Sequence, residues 1–171
     1  MSLAGVINLQ INTQLAKALD MSSAADALSQ VIKAFTISDG TGINAANQIW
    51  HDERSLNTAT SETINVYNPG VNALGDANAM VKVKAVIIHN KSATAGEKLK
   101  LGGEGTANAW SAPFDSSNTA KVICGPDGTI ALVDPSAAGY VAGSSSNNLL
   151  KIENVGAGTI TYQIFIIGAN A

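Results

Sequence analysis

Charged residues are scarce in this chain of 171 residues: they make up 13% of it, against 46% apolar residues, and the net charge is −3. This balance excludes the clustered Lys and Arg of a nucleic-acid interface, and no apolar run approaches the ~20 residues of a membrane-spanning helix. Soluble domains normally carry about twice this share of charge. The composition therefore favours one domain with a real core that buries much of its surface against other protein copies.

Residues 1–38 allow two interpretations. Residues 7–11 alternate between apolar and polar side chains, which predicts a short strand. Ser23 with Asp26 resembles a helix N-cap, and the apolar residues that follow fall at helical spacing, so a short helix is predicted over 23–34. The alternation of residues 31–37 favours an extended arm instead. In either case we expect residues 1–38 to pack on the rest of the domain or on a neighbouring subunit.

Residues 39–171 show short alternating runs with turn residues between them, at roughly ten-residue spacing. The predicted strands are 48–56, 61–67, 81–90, 98–102, an extended piece at 110–114, 121–124, 129–133, 149–154 and 159–168. Runs 81–90 and 159–168 are predicted to be the central strands because they are the longest and richest in β-branched residues. The turn 125–128 predicts one hairpin, and 155–158 predicts another at the C-terminal end. The fold predicted is all-β: an antiparallel β-sandwich of jelly-roll type.

The residues predict no catalytic, metal or cofactor site. Metal sites need several ligands at short spacing, whereas His51 and His89 are far apart in sequence. The glycine runs 39–42 and 102–105 lack the lysine of a phosphate-binding loop and are interpreted as turns. The polar cluster 51–54 is either an ion-paired strand end or subunit contact, or a cation or acid–base site. Cys124 ends an apolar run and is predicted to be a buried structural thiol. We therefore predict that the protein is not an enzyme.

Six residues are candidate partner contacts. They are Lys82, Lys84, Lys98, Lys100, Trp110 and Tyr140. If strands 81–90 and 98–102 pair, the four lysines form a basic stripe that could dock an acidic surface, and the alternative is two solvated strand faces. The aromatic residues could form a sugar-stacking patch, and the alternative is packing in and around the core.

Several segments together resemble a known class of protein from about Gly40 onward. They are Gly40-Thr41-Gly42 with Asn47 to Asp52, Gly125 to Gly128, Pro135 with Gly139-Tyr140, and Thr161 to Ile164 with Ile166 to Gly168. In these segments the chain is similar to small virion structural proteins of tailed bacteriophages. The resemblance implies a non-enzymatic subunit with a sandwich fold. Such proteins include capsid decoration (cement) subunits, often trimeric, and tail or fibre components.

The preferred hypothesis is a capsid decoration subunit that binds the major capsid protein or other virion proteins and associates with itself. Its expected location is the virion, after synthesis in the host cytoplasm, with neither nucleic acid nor membrane as a partner. One alternative is a head-fibre or tail adhesion module that binds host glycans through Tyr140. Another is a structural protein of the tail or neck.

Overall fold

The computed structural model describes residues 2–18 and 23–171. Within these residues it has twelve strands and one 3₁₀ turn. They are β1 (Gly5–Ala18), β2 (Ser23–Asp39), β3 (Ala45–Ala46), β4 (Gln48–Leu56), β5 (Ser61–Asn65), β6 (Lys82–Asn90), β7 (Leu99–Gly103), the 3₁₀ turn Ala112–Phe114, β8 (Lys121–Cys124), β9 (Thr129–Val133), β10 (Tyr140–Val141), β11 (Leu149–Asn154) and β12 (Ile160–Ala169). The prediction of an all-β fold is confirmed.

Two antiparallel sheets form the body of the molecule. Sheet I has the order β4–β12–β6, with β9 and β10 both pairing with β6, and sheet II has the order β5–β11–β7–β8. The pairings are nested along the chain: β4 with β12, β5 with β11, β6 with β9, and β7 with β8. Nested antiparallel pairs folded into two sheets define a jelly roll. The two runs predicted to be central, now β6 and β12, do lie side by side in the interior of sheet I.

The core lies between the two sheets, because alternate residues of each strand point inward. In β12 the inward residues Ile160, Tyr162 and Ile164 are completely buried. Trp110, which precedes the 3₁₀ turn, is also completely buried, and its backbone N–H donates to the carbonyl of Leu149, 2.8 Å away. The segment 110–114 was predicted to be extended, but it closes into the 3₁₀ turn, with a proline at its start.

Both predicted hairpins are wrong in their pairing, although the turns are where the sequence predicts them. Residues 125–128 form a turn closed by the Gly128 N–H on the Gly125 carbonyl at 3.1 Å. The strands that flank this turn pair with different sheets, β8 with β7 and β9 with β6. The strands on either side of the turn 155–158 also belong to different sheets, β11 to sheet II and β12 to sheet I. Turn residues determine where the chain reverses, whereas each strand's partner is determined by the sheet edge that it meets.

No helix forms at 23–34; this stretch is part of β2, so the predicted N-terminal helix is wrong. β2 pairs antiparallel with β1 from Ser23 to Ile37, and Ile7 lies opposite Phe35. The alternation of residues 31–37 was thus the better guide. A register shift near Leu9 places one extra residue in β2, a β-bulge of the kind that increases local twist.

Strand β6 also contains a bulge, and it changes the face on which its lysines lie. The register with β12 shifts between the pairs Ala85–Ile167 and Val83–Gly168, leaving Lys84 unpaired in the ladder. Lys82 therefore does not share the inward face of Val86, contrary to the simple alternation of the sequence. Lys84 is only 3% exposed.

A polar network closes one end of the sandwich. Tyr162 of β12 is completely buried, and its hydroxyl donates to Glu62 of β5 at 2.7 Å. The other oxygen of Glu62 accepts from Arg54 Nε at 2.6 Å, and Arg54 also pairs with Asp52 at 2.9 Å. Because Tyr162 belongs to sheet I and Glu62 to sheet II, the network ties the two sheets together.

Replacing Tyr162 with phenylalanine should lower the free energy of unfolding by about 1–2 kcal/mol at neutral pH, because a hydrogen bond to a carboxylate is lost. Burial, and then the hydrogen bond to Glu62, raise the pKa of Tyr162 far above its ordinary value of 10.0. The folded state therefore favours the protonated phenol. This stabilisation is complete below about pH 10 and is lost as the pH rises beyond it.

Chemical denaturation between about pH 7 and about pH 11 measures this contribution. The wild type should lose stability above about pH 10, and Tyr162→Phe should lose less. Identical alkaline slopes for the two proteins would show that Tyr162 does not govern this pH range.

Candidate assembly surface

The four candidate lysines do not form one basic stripe. Lys82 and Lys84 belong to β6 in sheet I, whereas Lys100 belongs to β7 in sheet II and Lys98 lies just before that strand. The Nζ of Lys84 donates to the carbonyls of Ser136 and Ala137, and burial, with repulsion from Lys82, lowers its pKa. Lys84 is therefore a structural residue. Lys98 is exposed, while Lys82 and Lys100 are half-buried, and their contact with a partner stays a prediction.

The two candidate aromatic residues pack on each other. Trp110 donates through Nε1 to the Val141 carbonyl at 3.2 Å, and its ring meets the half-buried Tyr140 edge to face at 5.9 Å. Trp110 has no surface to offer a sugar ring, so the interpretation as core packing holds for it. Burial, and then the negative charge of Asp134, raise the pKa of Tyr140.

The polar cluster 51–54 separates into two groups. Asp52 and Arg54 belong to the ion-paired network around Glu62, which agrees with an ion-paired strand end. His51 and Glu53 point the other way, toward the outer face of sheet I. His51 packs against Phe165 with ring centroids 5.9 Å apart, and Glu53 pairs with Lys91 at 2.8 Å.

The outer face of sheet II is polar and ionic apart from Ile123, which lies opposite Lys100 in register and is exposed. Lys121 and Lys151 both pair with Glu153, at 2.5 and 3.6 Å, and Lys100 lies opposite Glu153 in the register of β7 and β11. The hydrogen bond from Lys121 lowers the pKa of Glu153. These features are those of a face that is stable in contact with water.

The outer face of sheet I is largely apolar. Residues opposite each other in register share a face, and three rows cross the sheet in this way. From β9 through β6 and β12 to β4 they are Val133–Ala85–Ile167–Ile49, Ala131–Ile87–Phe165–His51 and Thr129–His89–Gln163–Glu53. The first two rows are apolar except for His51, and the third is polar. This contrast with sheet II distinguishes the two outer faces of the sandwich.

The base of the β1–β2 hairpin covers one half of this apolar face. A groove of about 350 Å³ lies between them, lined by Ile7, Leu9 and Phe35 of the hairpin and by Ile87, Ala131 and Val133 of β6 and β9. The base is fixed to the body because β3 pairs with the end of β2, and because the Asn44 N–H donates to the Pro135 carbonyl at 2.8 Å. The β12–β4 half of the face is left open, and Phe165 there is 37% exposed.

Beyond its base the hairpin is exposed. We call residues 9–18 and 23–33 the distal arm. In its β1 strand Leu9, Ile11 and Leu15 share a face with Thr13 and Lys17. The register places Lys33, Gln30 and Asp26 of β2 opposite the three apolar residues. Those three side chains are 54%, 40% and 77% exposed. An isolated two-stranded hairpin is only marginally stable in water, and exposed apolar side chains can form interaction sites. The distal arm is therefore a candidate surface for a partner.

Among the described residues, no group of three or more His, Cys, Asp and Glu side chains is placed to hold a metal ion. No helix in the same residues combines the length and apolarity needed to cross a membrane. A comparison with protein-family models matches no family, and a comparison with curated protein sequences finds no match.

Cys124 is buried, as predicted, and burial raises its pKa. Because the thiolate is the reactive form, modification of the folded protein by a disulfide reagent should be at least about a hundredfold slower than modification in denaturant. The exposed Leu74→Cys variant is the matched control and should react at once at its second thiol. Rapid reaction of native Cys124 would contradict its buried position.

Sequence reasoning found the alternation that makes β1 amphipathic, but it missed the outer face of sheet I. The signal was present: Phe165 and Ile167 occupy positions of β12 that should be polar in a half-exposed strand. That pattern indicated a covered strand, whereas the structure covers the β6 and β9 part of this face and leaves Phe165 open.

Proposed function

We propose that the chain is a non-enzymatic structural subunit of a virion, and that it decorates the capsid and stabilises the shell through protein–protein contacts. The observation that carries the proposal is the distal arm, whose apolar side chains are exposed on a hairpin anchored to a jelly roll. The low charge content and the resemblance of residues 40–171 to small phage virion proteins support the same role.

A jelly roll with one ionic and one apolar outer face suits a subunit that sits on a shell. The face of sheet II has the charge pairs of a surface that meets water, whereas the face of sheet I and the arm gain free energy only when they are covered. Burial of apolar surface contributes about 25 cal/mol per Å², so repeated contacts around a symmetric shell sum to a substantial stabilisation.

Shells assembled without this chain provide the test. The purified chain should cosediment with them and raise the temperature at which they rupture. A variant with Leu9, Ile11 and Leu15 all changed to lysine should do neither, whereas Leu74→Lys, which changes an exposed apolar residue outside the arm, should behave as wild type. Absence of both binding and stabilisation for the wild-type chain would remove the proposal. Six- or twelve-fold rings in electron micrographs would favour a tail or neck role instead.

A further inference from the structure

We infer that the partner of the distal arm is the open β12–β4 half of sheet I in a second copy of this chain, so that each subunit gives an arm and receives one. This inference rests on the proposed function, because it names the self-association through which the subunit assembles. The donor is the arm face with Leu9, Ile11 and Leu15. The acceptor, which we call the acceptor strip, is the outward face of β12 and β4, formed by Thr161, Gln163, Phe165, Ile167, Ile49, His51, Glu53 and Ser55.

The two surfaces match in size. The described distal part of β1 has ten residues, as does β12, and both therefore extend about 33 Å. Both are two-stranded ribbons about 10 Å wide, given the ~4.8 Å spacing of strands. A ribbon laid along the strip with the alignment usual for packed sheets covers nearly all of it.

The two surfaces also match in chemistry. The strip is apolar at Phe165 and Ile167 and becomes polar two residues further on, where Gln163 lies opposite Glu53. In the arm, Leu15 lies opposite Asp26, and Lys17 is two residues further on. If Leu15 rests on Phe165, which lies opposite His51, Lys17 lies level with Glu53 of the second copy. Lys17 would then add a second cation to the pair that Glu53 already makes with Lys91.

When two copies exchange arms with each other, the buried area reaches that of a stable interface. One arm on one strip buries roughly 300 Å² on each surface, or about 600 Å² together, which is below the range of specific complexes. Two such contacts between the same two copies bury about 1,200 Å², the lower limit of standard-size interfaces. A reciprocal two-fold pair, in which each copy is both donor and acceptor, therefore satisfies both surfaces within one interface.

Within one subunit the base of the hairpin lies over β6 and β9, because the groove that it forms is lined by residues of those two strands and by none of β12 or β4. A second copy supplies the missing cover without any change in the fold of the first.

Light scattering of the wild-type chain should give a mass at a multiple of 17.4 kDa, and Leu15→Lys and Phe165→Lys should each weaken self-association about thirtyfold, as expected for a central contact. The decisive experiment is to mix the two variants. The intact arm of Phe165→Lys can bind the intact strip of Leu15→Lys, so the mixture should associate more strongly than either variant alone. Leu74→Lys, as the control, should leave the mass unchanged.

A cross-link locates the contact directly. The double variant Leu15→Cys, Phe165→Cys should form an intermolecular disulfide under mild oxidation, whereas Leu74→Cys, Phe165→Cys should not. Normal association of Phe165→Lys, or a mixture no stronger than its components, would overturn the inference in favour of arm-to-arm contact. A monomeric wild-type chain that still binds shells would overturn it while leaving the proposed function intact. A wild-type chain that self-associates but fails to bind shells would overturn the proposed function and leave this inference intact.

Discussion

Replacing Trp110 with alanine is expected to lower the free energy of unfolding by about 3–5 kcal/mol, the cost typical of removing a large aromatic side chain from a core. Trp110 is completely buried, and its ring supports the edge of Tyr140. Urea denaturation followed by circular dichroism measures the change. A loss of this size is a large fraction of the stability of a typical domain.

Trp110→Phe separates packing from hydrogen bonding. It keeps an aromatic ring but removes the Nε1 donor to the Val141 carbonyl. That carbonyl also accepts from Asn147 Nδ2 at 3.0 Å, so it keeps a partner, and the cost should stay below about 1.5 kcal/mol. If Trp110→Ala were nearly as stable as the wild type, the buried position would be wrong, and Trp110 would again be a candidate surface contact.

The second large effect is expected for Gly103→Ala. A Cβ at this position would lie 2.0 Å from the backbone carbonyl oxygen of Asn118, so either β7 or the 104–120 loop must move. The same carbonyl accepts from the Gly105 N–H at 2.8 Å, and a shift would break that hydrogen bond. We expect a loss of about 3 kcal/mol, since overpacking against backbone has no easy relief.

Gly125→Ala is the matched control for this substitution. A Cβ at Gly125 would meet nothing within 4 Å, so its stability should change by less than about 0.5 kcal/mol. Thermal unfolding of both variants, beside the wild type, tests the comparison. Equal midpoints for Gly103→Ala and wild type would mean that the loop does not approach β7 as closely as the structure shows.

The sequence predicts the strands well because each run carries its own alternation. β8 and β9 begin and end where their patterns do, and β4 agrees to the residue. The predicted strand 98–102 ends at Gly102, where the run 102–105 was interpreted as a turn, but Gly103 also belongs to β7. Glycine at positions 102 and 103 leaves room for the backbone of residues 118–121 to lie close to β7. No local sequence pattern indicates this approach.

The partner of each strand, and the sheet face on which each side chain lies, were harder to predict, because both depend on contacts between residues distant in sequence. Because Lys84 is an extra residue in β6, Lys82 and Val83 lie on the faces opposite to those that simple alternation predicts. The spacing of apolar and polar residues in this strand does not indicate the bulge. The helix predicted over 23–34 failed for a related reason. An N-cap pattern is local, whereas β1 supplies a pairing partner for residues 23–37 of the competing strand except at the bulge.

The position of β12 has a consequence for how the protein is made. β12 is inserted between β4 and β6, which are synthesised about a hundred residues and about seventy residues earlier. On the ribosome, sheet I must therefore wait for β12 to emerge, and the backbone N–H and C=O groups along the facing edges of β4 and β6 stay unpaired until then. Nascent chains of this protein should depend on chaperones until that strand is released, and fold only afterwards.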